Sequence, residues 1–240
     1  MPVQETLVGL TRLRNASALR FALAVVLIPL QTLRIVQPQG EWGGVAPERI
    51  GELFALLGVV LIAGLVAVAL LIASWLLRVL GWGNLCRAKV RRFYCVTRIV
   101  VLAAPIAGVA VIIFGAVIAV LEALATGLEY APSARLPQGA LGMVLAGLVL
   151  VLAADVFEAV ATLDLGQIYG VKILSIASLL LLTNTALSAV TNFVQLPAWI
   201  PPLVALPTFA MLTAGFHSAR KTAVGSLPSR EQQEQQGAKL

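Results

Sequence analysis

The sequence has few charged residues and is rich in apolar ones. Charged residues make up 12% of its 240 positions and hydrophobic residues 60%, with a mean hydropathy of +0.96. Such a chain has too little polar surface to cover a water-soluble domain of this size. A soluble globular protein is therefore excluded, and the composition predicts an integral membrane protein.

Histidine and cysteine are nearly absent. One histidine and two cysteines are too few ligands for a zinc or other soft-metal site, and Cys86 and Cys95 lack the CxxC spacing. We expect reduced thiols here, with palmitoylation of a cysteine beside the membrane as the alternative. His217 is expected to be an interfacial histidine, with axial ligation of a haem or chlorophyll as the alternative. No cofactor is assigned.

Catalytic motifs are also missing. The sequence contains no Walker-type loop, dinucleotide-binding fingerprint or zincin helix. Residues 140–163 contain no serine that could act as an intramembrane nucleophile, and no acidic residue lies near His217 in sequence. We therefore do not expect an enzyme.

Six apolar segments approach the roughly 20 residues that a helix needs to cross about 30 Å of hydrocarbon. They are residues 19–36, 53–77, 99–121, 140–163, 171–194 and 199–216. The first segment is marginal because Arg20 and Arg34 must extend from its ends towards water. The predicted fold is all-α, a polytopic transmembrane helical bundle of about six spans.

Three regions follow from this pattern. A cytoplasmic N-terminal segment (1–18) precedes a transmembrane domain (19–217), and a polar cytoplasmic tail (218–240) follows. The tail has too little apolar surface to pack, so we expect it to be disordered. No small-x-small cleavage site follows the first apolar segment, which predicts an uncleaved first span rather than a signal peptide.

Basic residues are divided unequally between the two sides of the membrane. With six spans, 14 of the 17 lysines and arginines fall on the side that carries both termini, which is cytoplasmic by the positive-inside rule. A bacterial inner membrane is predicted, and an organelle membrane is the alternative because the arginine-rich first twenty residues also resemble a transit peptide. Nucleic-acid binding is not expected, since the basic residues gather beside apolar segments.

Two carboxylates lie inside the fourth predicted span. Asp155 and Glu158 are three residues apart and so share one helix face. A charge in hydrocarbon requires a partner or a water-filled cavity. The pair is hypothesised to form a proton or cation site in which one carboxyl keeps its proton. The alternative is that both turn towards headgroup water or pair with Arg98 or Lys172.

A polar stripe runs along the fifth predicted span. Its members recur at three- and four-residue steps, interrupted by Leu182, as expected for one helix face. They are Lys172, Ser175, Ser178, Thr185, Ser188, Asn192 and Gln195. Facing lipid would leave these groups unsatisfied, so the stripe is expected to face the bundle. It either joins helices by hydrogen bonds or lines a path for a solute or proton.

Small residues recur along the third predicted span. They are Ala104, Gly108, Gly115, Ala119, Ala123 and Gly127. This spacing lets helix backbones approach closely, either within the bundle or against another protein.

The loop between the second and third spans is the most basic part of the chain. Arg87, Lys89, Arg91 and Arg92 are hypothesised to contact lipid headgroups, although determination of topology is the favoured explanation. Trp82 and Tyr94 beside the loop are expected to be anchors at the membrane interface.

Two functions from different classes remain. The first is a transport- or channel-type protein with a polar path between the fourth and fifth spans, formed by Asp155, Glu158 and the fifth-span stripe. The alternative is a non-catalytic accessory subunit packed into a larger membrane complex. The lipid bilayer is the expected partner in both cases, and other membrane subunits or a second copy of the chain are expected in the alternative.

Overall fold

The computed structural model describes residues 2–35, 47–125, 138–191 and 200–225. These residues form six α-helices and no strand. The helices are α1 (Pro2–Ile35), α2 (Pro47–Arg87), α3 (Phe93–Ala125), α4 (Gln138–Ile168), α5 (Lys172–Val190) and α6 (Ile200–Gly225). The prediction of an all-α fold is confirmed for this part of the chain.

Four of the described helices are long and apolar enough to cross a membrane. They are the segments Gly58–Arg87, Phe93–Glu122, Gly139–Ile168 and Lys172–Val190. These segments correspond to the second to fifth predicted spans. The chain is therefore a membrane protein with helices that contact lipid. Helices α1 and α6, which cover the first and last predicted spans, are not among these four.

Each helix packs against its neighbours in sequence, and α6 packs back against α1, so the six helices form a closed ring. Neighbours run antiparallel. The Ser74 hydroxyl of α2 donates to the Ala16 carbonyl of α1, while Gly81 of α2 lies beside Gly9 of α1. The start of α1, the turns at 88–92 and 169–171, and the end of α6 consequently share one end of the bundle, called the basic end below.

Helix α1 begins well before the first predicted span. Residues 2–18, predicted as a separate cytoplasmic segment, continue directly into the span as one helix. Leu10 and Leu13 in this segment are fully buried in the same apolar cluster as Trp82 and Leu85 of α2. Burial of these leucines explains why the segment is helical. Helix α6 likewise extends to Gly225, so the first residues of the predicted tail are helical and the remainder lies outside the described residues.

The buried core is concentrated towards the basic end, and a belt of exposed apolar side chains surrounds the rest. Trp82 and Tyr94 are completely buried, with ring centroids 5.6 Å apart, so neither is the interface anchor that its position suggested. Among the α2 side chains that the structure describes (58–87), exposed apolar residues occur from Val59 to Leu80. These residues alone span about 32 Å of helix, which is enough to cross the hydrocarbon layer.

Glycines allow α3 and α4 to touch through their backbones. A Cβ added at Gly147 of α4 would lie 2.5 Å from the Gly108 carbonyl oxygen of α3, and one added at Gly108 would lie 2.6 Å from that of Gly147. About two turns further along α3, a Cβ added at Gly115 would lie 2.9 Å from the Met143 Cβ and 3.2 Å from the Ala140 carbonyl oxygen of α4. The small-residue stripe of the third span therefore packs, at these two positions, within the chain rather than against another protein.

Candidate functional site

The two membrane carboxylates lie in a cluster of four charges contributed by three helices. Arg20 of α1 places Nη2 3.0 Å from Asp155 Oδ1 and Nη1 3.2 Å from Glu158 Oε2. Arg78 of α2 places Nη1 3.3 Å from Asp155 Oδ1 and 2.6 Å from Glu158 Oε2. Each carboxylate therefore contacts both guanidiniums. These four residues are called the charged quartet.

The quartet is electrically balanced and largely removed from solvent. Two positive and two negative groups cancel, and the side chains of Arg20, Arg78 and Glu158 are 12%, 8% and 7% exposed, against 28% for Asp155. Isolated charges in this setting would cost several kcal/mol each in lost solvation, on the order of the values known for buried ions. Pairing of the opposite charges offsets this loss of solvation and allows the four groups to lie inside the bundle.

The quartet connects four of the six described helices. The Arg20 guanidinium, besides its two ion pairs, lies 5.3 Å from the centroid of the Phe209 ring of α6, a distance typical of a cation–π contact. Helix α6 thus joins α1, α2 and α4 around the cluster. The quartet therefore links helices across the inside of the ring, since α1 and α4 are not neighbours in it.

The quartet can be located along the belt of exposed apolar side chains on α2. Arg78 lies two residues before Leu80, the last exposed apolar residue of that belt on α2. The quartet therefore lies near the end of the exposed apolar surface of α2, on the side of the basic end. Burial of Glu158 rules out the expectation that it turns to headgroup water.

Arg98 and Lys172, the partners considered for the carboxylates, do not pair with them. Arg98 lies against Gly83 at the seam between α2 and α3, and Lys172 is exposed at the start of α5. The predicted segment bounds place Arg20 at the edge of the marginal first span, and they place Arg78 in the loop between residues 77 and 99. One signal could have identified Arg78, which is flanked on both sides by leucine and valine and so belongs to the apolar segment.

Three hydroxyls of the polar stripe on α5 form hydrogen bonds within their own helix. Ser178 and Thr185 are buried, as expected for a stripe that faces the bundle, and Ser188 is half-buried. The hydroxyls of Ser178, Thr185 and Ser188 donate to the carbonyls of Ser175, Leu181 and Asn184 at 2.7, 2.9 and 2.9 Å. Local bonds of this kind are common for Ser and Thr within helices. Asn192 and Gln195 lie outside the described residues.

A second, smaller ion cluster lies closer to the basic end. The Tyr94 hydroxyl of α3 donates to Asp164 Oδ2 of α4 at 2.7 Å, and Arg91 Nη1 lies 2.7 Å from the other carboxylate oxygen. Tyr94 is buried whereas the Arg91 side chain is 58% exposed. Arg91, hypothesised to contact lipid headgroups, thus has a protein partner, while Arg87, Lys89 and Arg92 are exposed.

The two cysteines are joined, contrary to the expectation of free thiols. Cys86 at the end of α2 forms a disulfide with Cys95 at the start of α3, with their Cα atoms 4.8 Å apart. The five-residue turn between the two helices brings these positions together, which a search for CxxC spacing could not detect. Palmitoylation of either cysteine is excluded in this state.

No group of three or more metal-ligating side chains occurs among the described residues. His217, considered above as an axial ligand, is exposed near the end of α6.

No protein-family model matches the chain, and neither a curated protein nor a solved structure matches it. Its function is therefore inferred from the residues and their geometry.

Proposed function

We propose that this chain is a non-catalytic accessory subunit of a membrane assembly, in which the charged quartet holds helices together instead of moving ions. The observation that carries this proposal is the contact of each carboxylate with two guanidiniums at 3.3 Å or less. A carboxylate used in transport must change its protonation or its bound ion during the cycle. A proton added to Asp155 or Glu158 would instead leave a buried guanidinium short of counter-charge.

The hydroxyls of α5 also support a structural role. A polar path between α4 and α5 needs groups that are free to bind a solute, whereas Ser178 and Thr185 already donate within their own helix. Among the described residues, no hydrogen bond joins these hydroxyls to the quartet. Asp155 and Glu158 are bonded to residues of α1 and α2, so the two polar features of the sequence are not bonded to one another.

A transport function is the second candidate, and one observation favours it. Asp155 is the most exposed member of the quartet, at 28%, so it is the carboxylate that water or an ion could reach. In this alternative the quartet would act as a gate whose ion pairs exchange during the cycle.

Vesicles that contain the purified full chain distinguish the two candidates. We expect proton and cation flux to equal that of protein-free vesicles for the wild type, for Asp155→Asn and for the control Asp164→Asn, which changes a carboxylate of α4 outside the quartet. Native mass measurements in mild detergent should give an assembly heavier than one chain. A wild-type flux that Asp155→Asn abolishes and Asp164→Asn preserves would establish transport instead.

We further propose six spans with both termini in the cytoplasm of a bacterial cell. The proposal is supported by 14 of 17 basic residues on one side and by six antiparallel helices. The Cys86–Cys95 disulfide lies at the same end, although disulfides persist mainly in oxidising compartments. Reporter fusions after Gly225 and after Gly139 should report the cytoplasm and the opposite side, respectively. The reverse result would place the disulfide outside the cytoplasm and overturn the orientation.

A further inference from the structure

We propose that the seam between α1 and α2 at the basic end holds the headgroup of a phospholipid that carries a primary amine. A pocket of about 390 Å³ opens there. It is lined by Gln4, Glu5, Val8, Arg12, Asn84 and Arg87. Its size is at the lower end of the range for small-ligand sites, about 300 to 1,000 Å³, which suits a compact headgroup.

The pocket lies beyond the end of the exposed apolar belt of α2, where lipid headgroups would be expected. Leu80 is the last exposed apolar residue of the lipid-facing belt on α2. Asn84 and Arg87 follow it by four and seven residues, or about 6 and 10 Å along the helix. The headgroup layer occupies about 5 to 8 Å on each side of the hydrocarbon. Val8, an exposed apolar residue on the rim, can meet the upper part of the lipid chains.

Two arginines and a buried amide supply the phosphate side of the site. Arg12 Nη1 donates to Asn84 Oδ1 at 3.3 Å, and Asn84 is only 5% exposed. This bond holds the Arg12 guanidinium at the pocket while leaving its other N–H groups for a ligand. Within the described part of the chain, Arg87 has no ion-pair partner. Guanidinium groups bind phosphate through paired, charge-assisted hydrogen bonds.

Glu5 determines which phospholipid the pocket suits. It is half-buried, lines the same pocket as both arginines, and forms no ion pair among the described residues. A purely anionic headgroup would place its phosphate near a carboxylate that has no ion-pair partner among the described residues. A headgroup with both a phosphate and a primary ammonium satisfies Arg12, Arg87 and Glu5 together. A quaternary ammonium has no N–H to donate to Glu5, so it suits the site less well.

Determination of topology does not account for this arrangement. The positive-inside rule needs only a number of basic residues near the helix ends. It does not require that one of them be bonded to a buried asparagine and share a pocket with a carboxylate.

Native mass spectrometry of the full chain tests the proposal with three lipids of identical acyl chains, whose headgroups are phosphoethanolamine, phosphocholine and phosphoglycerol. We expect the amine lipid to bind about tenfold more tightly than the other two, the ratio given by one additional charge-assisted hydrogen bond. Equal binding of all three, or tightest binding of the phosphoglycerol lipid, would overturn the proposal.

Substitutions identify the site. Glu5→Gln should abolish the preference for the amine lipid while retaining binding of the phosphoglycerol lipid, and Arg12→Gln should weaken binding of all three. Arg14→Gln removes a charge two residues away that lies outside the pocket, so it should change neither result. Retained preference in Glu5→Gln, or equal effects of Arg12→Gln and Arg14→Gln, would show that the pocket is not the site.

Soluble competitors separate a lipid headgroup from free phosphate. Phosphoethanolamine in solution should displace the bound amine lipid, whereas inorganic phosphate at the same concentration should not. Equal displacement by both compounds would show that the pocket recognises phosphate alone.

Discussion

Helix α4 is joined to its two sides by different kinds of contact. Towards α3 it presents Gly147, and the two backbones touch directly. Towards α1 and α2 it presents Asp155 and Glu158, whose carboxylates meet the ends of long arginine side chains. These contacts are called the glycine seam and the charged seam. Apolar side chains gain little free energy by moving from lipid to a helix interface, because lipid tails are equally apolar. Helices in a membrane therefore associate through close packing or polar bonds. Helix α4 uses both.

The two seams should also respond differently to damage. The charged seam depends on equal numbers of positive and negative charges, since removal of one charge leaves its partner buried without an opposite charge. The glycine seam depends on the lack of a Cβ atom at its glycines, so any side chain added there must push the two helices apart.

The largest effect is expected in the charged seam. Arg78→Gln or Glu158→Gln alone should lower the free energy of unfolding by about 3 to 5 kcal/mol, because each leaves a buried charge without its closest partner. The double variant keeps the Arg20–Asp155 pair and removes one charge of each sign, so it should be more stable than either single variant. Reversible unfolding in mixed micelles measures all three. Strictly additive losses would show that the quartet does not act as a unit.

The glycine seam should give the next largest effect. Gly147→Ala places a Cβ within 2.5 Å of a backbone oxygen and should cost about 2 kcal/mol, within the range for overpacked sites. Gly142→Ala on the same helix is the matched control, because nothing lies within 4 Å of its added Cβ. The control should be neutral or slightly stabilising, since alanine favours helix over glycine. Equal losses in the two variants would refute the close approach of α3 and α4.

The smallest effects concern Asp164, whose two partners differ in exposure. Tyr94→Phe removes a buried hydroxyl bonded to a carboxylate and should cost about 1.5 kcal/mol. Arg91→Gln breaks an ion pair with a largely exposed arginine and should cost less than about 1 kcal/mol after screening by solvent. The same unfolding assay compares them. A larger loss for Arg91→Gln would show that charge outweighs burial at this position.

Several elements of the bundle could be predicted from local sequence. The apolar segments at 53–77, 99–121 and 140–163 each lie within one described helix, because some twenty apolar residues have no stable alternative to a helix in lipid. The spacing of Gly108 and Gly115 indicated a close helix contact. The sequence did not identify α4 as the partner, since a small-residue face fits any helix that presents another.

The partners within the charged seam could not be predicted from local sequence. Asp155 and Glu158 were recognised as carboxylates that need partners, yet several basic residues near the same side could have served. In the structure Asp155 pairs with Arg20, 135 residues away in sequence, and Glu158 pairs with Arg78, 80 residues away. The pairing of Cys86 with Cys95 likewise depended on how tightly α2 turns into α3.

The sequence by itself determined the class of this protein, because the free energy of placing apolar segments in lipid is a sum over residues and does not depend on which helix lies beside which. It also placed Asp155 and Glu158 on one face of one helix, since that spacing is a local property of the α-helix. Only the tertiary structure decided that both carboxylates meet Arg20 and Arg78. Long side chains from non-neighbouring helices can pair only after the ring closes, and the ring closes through α6 packing against α1.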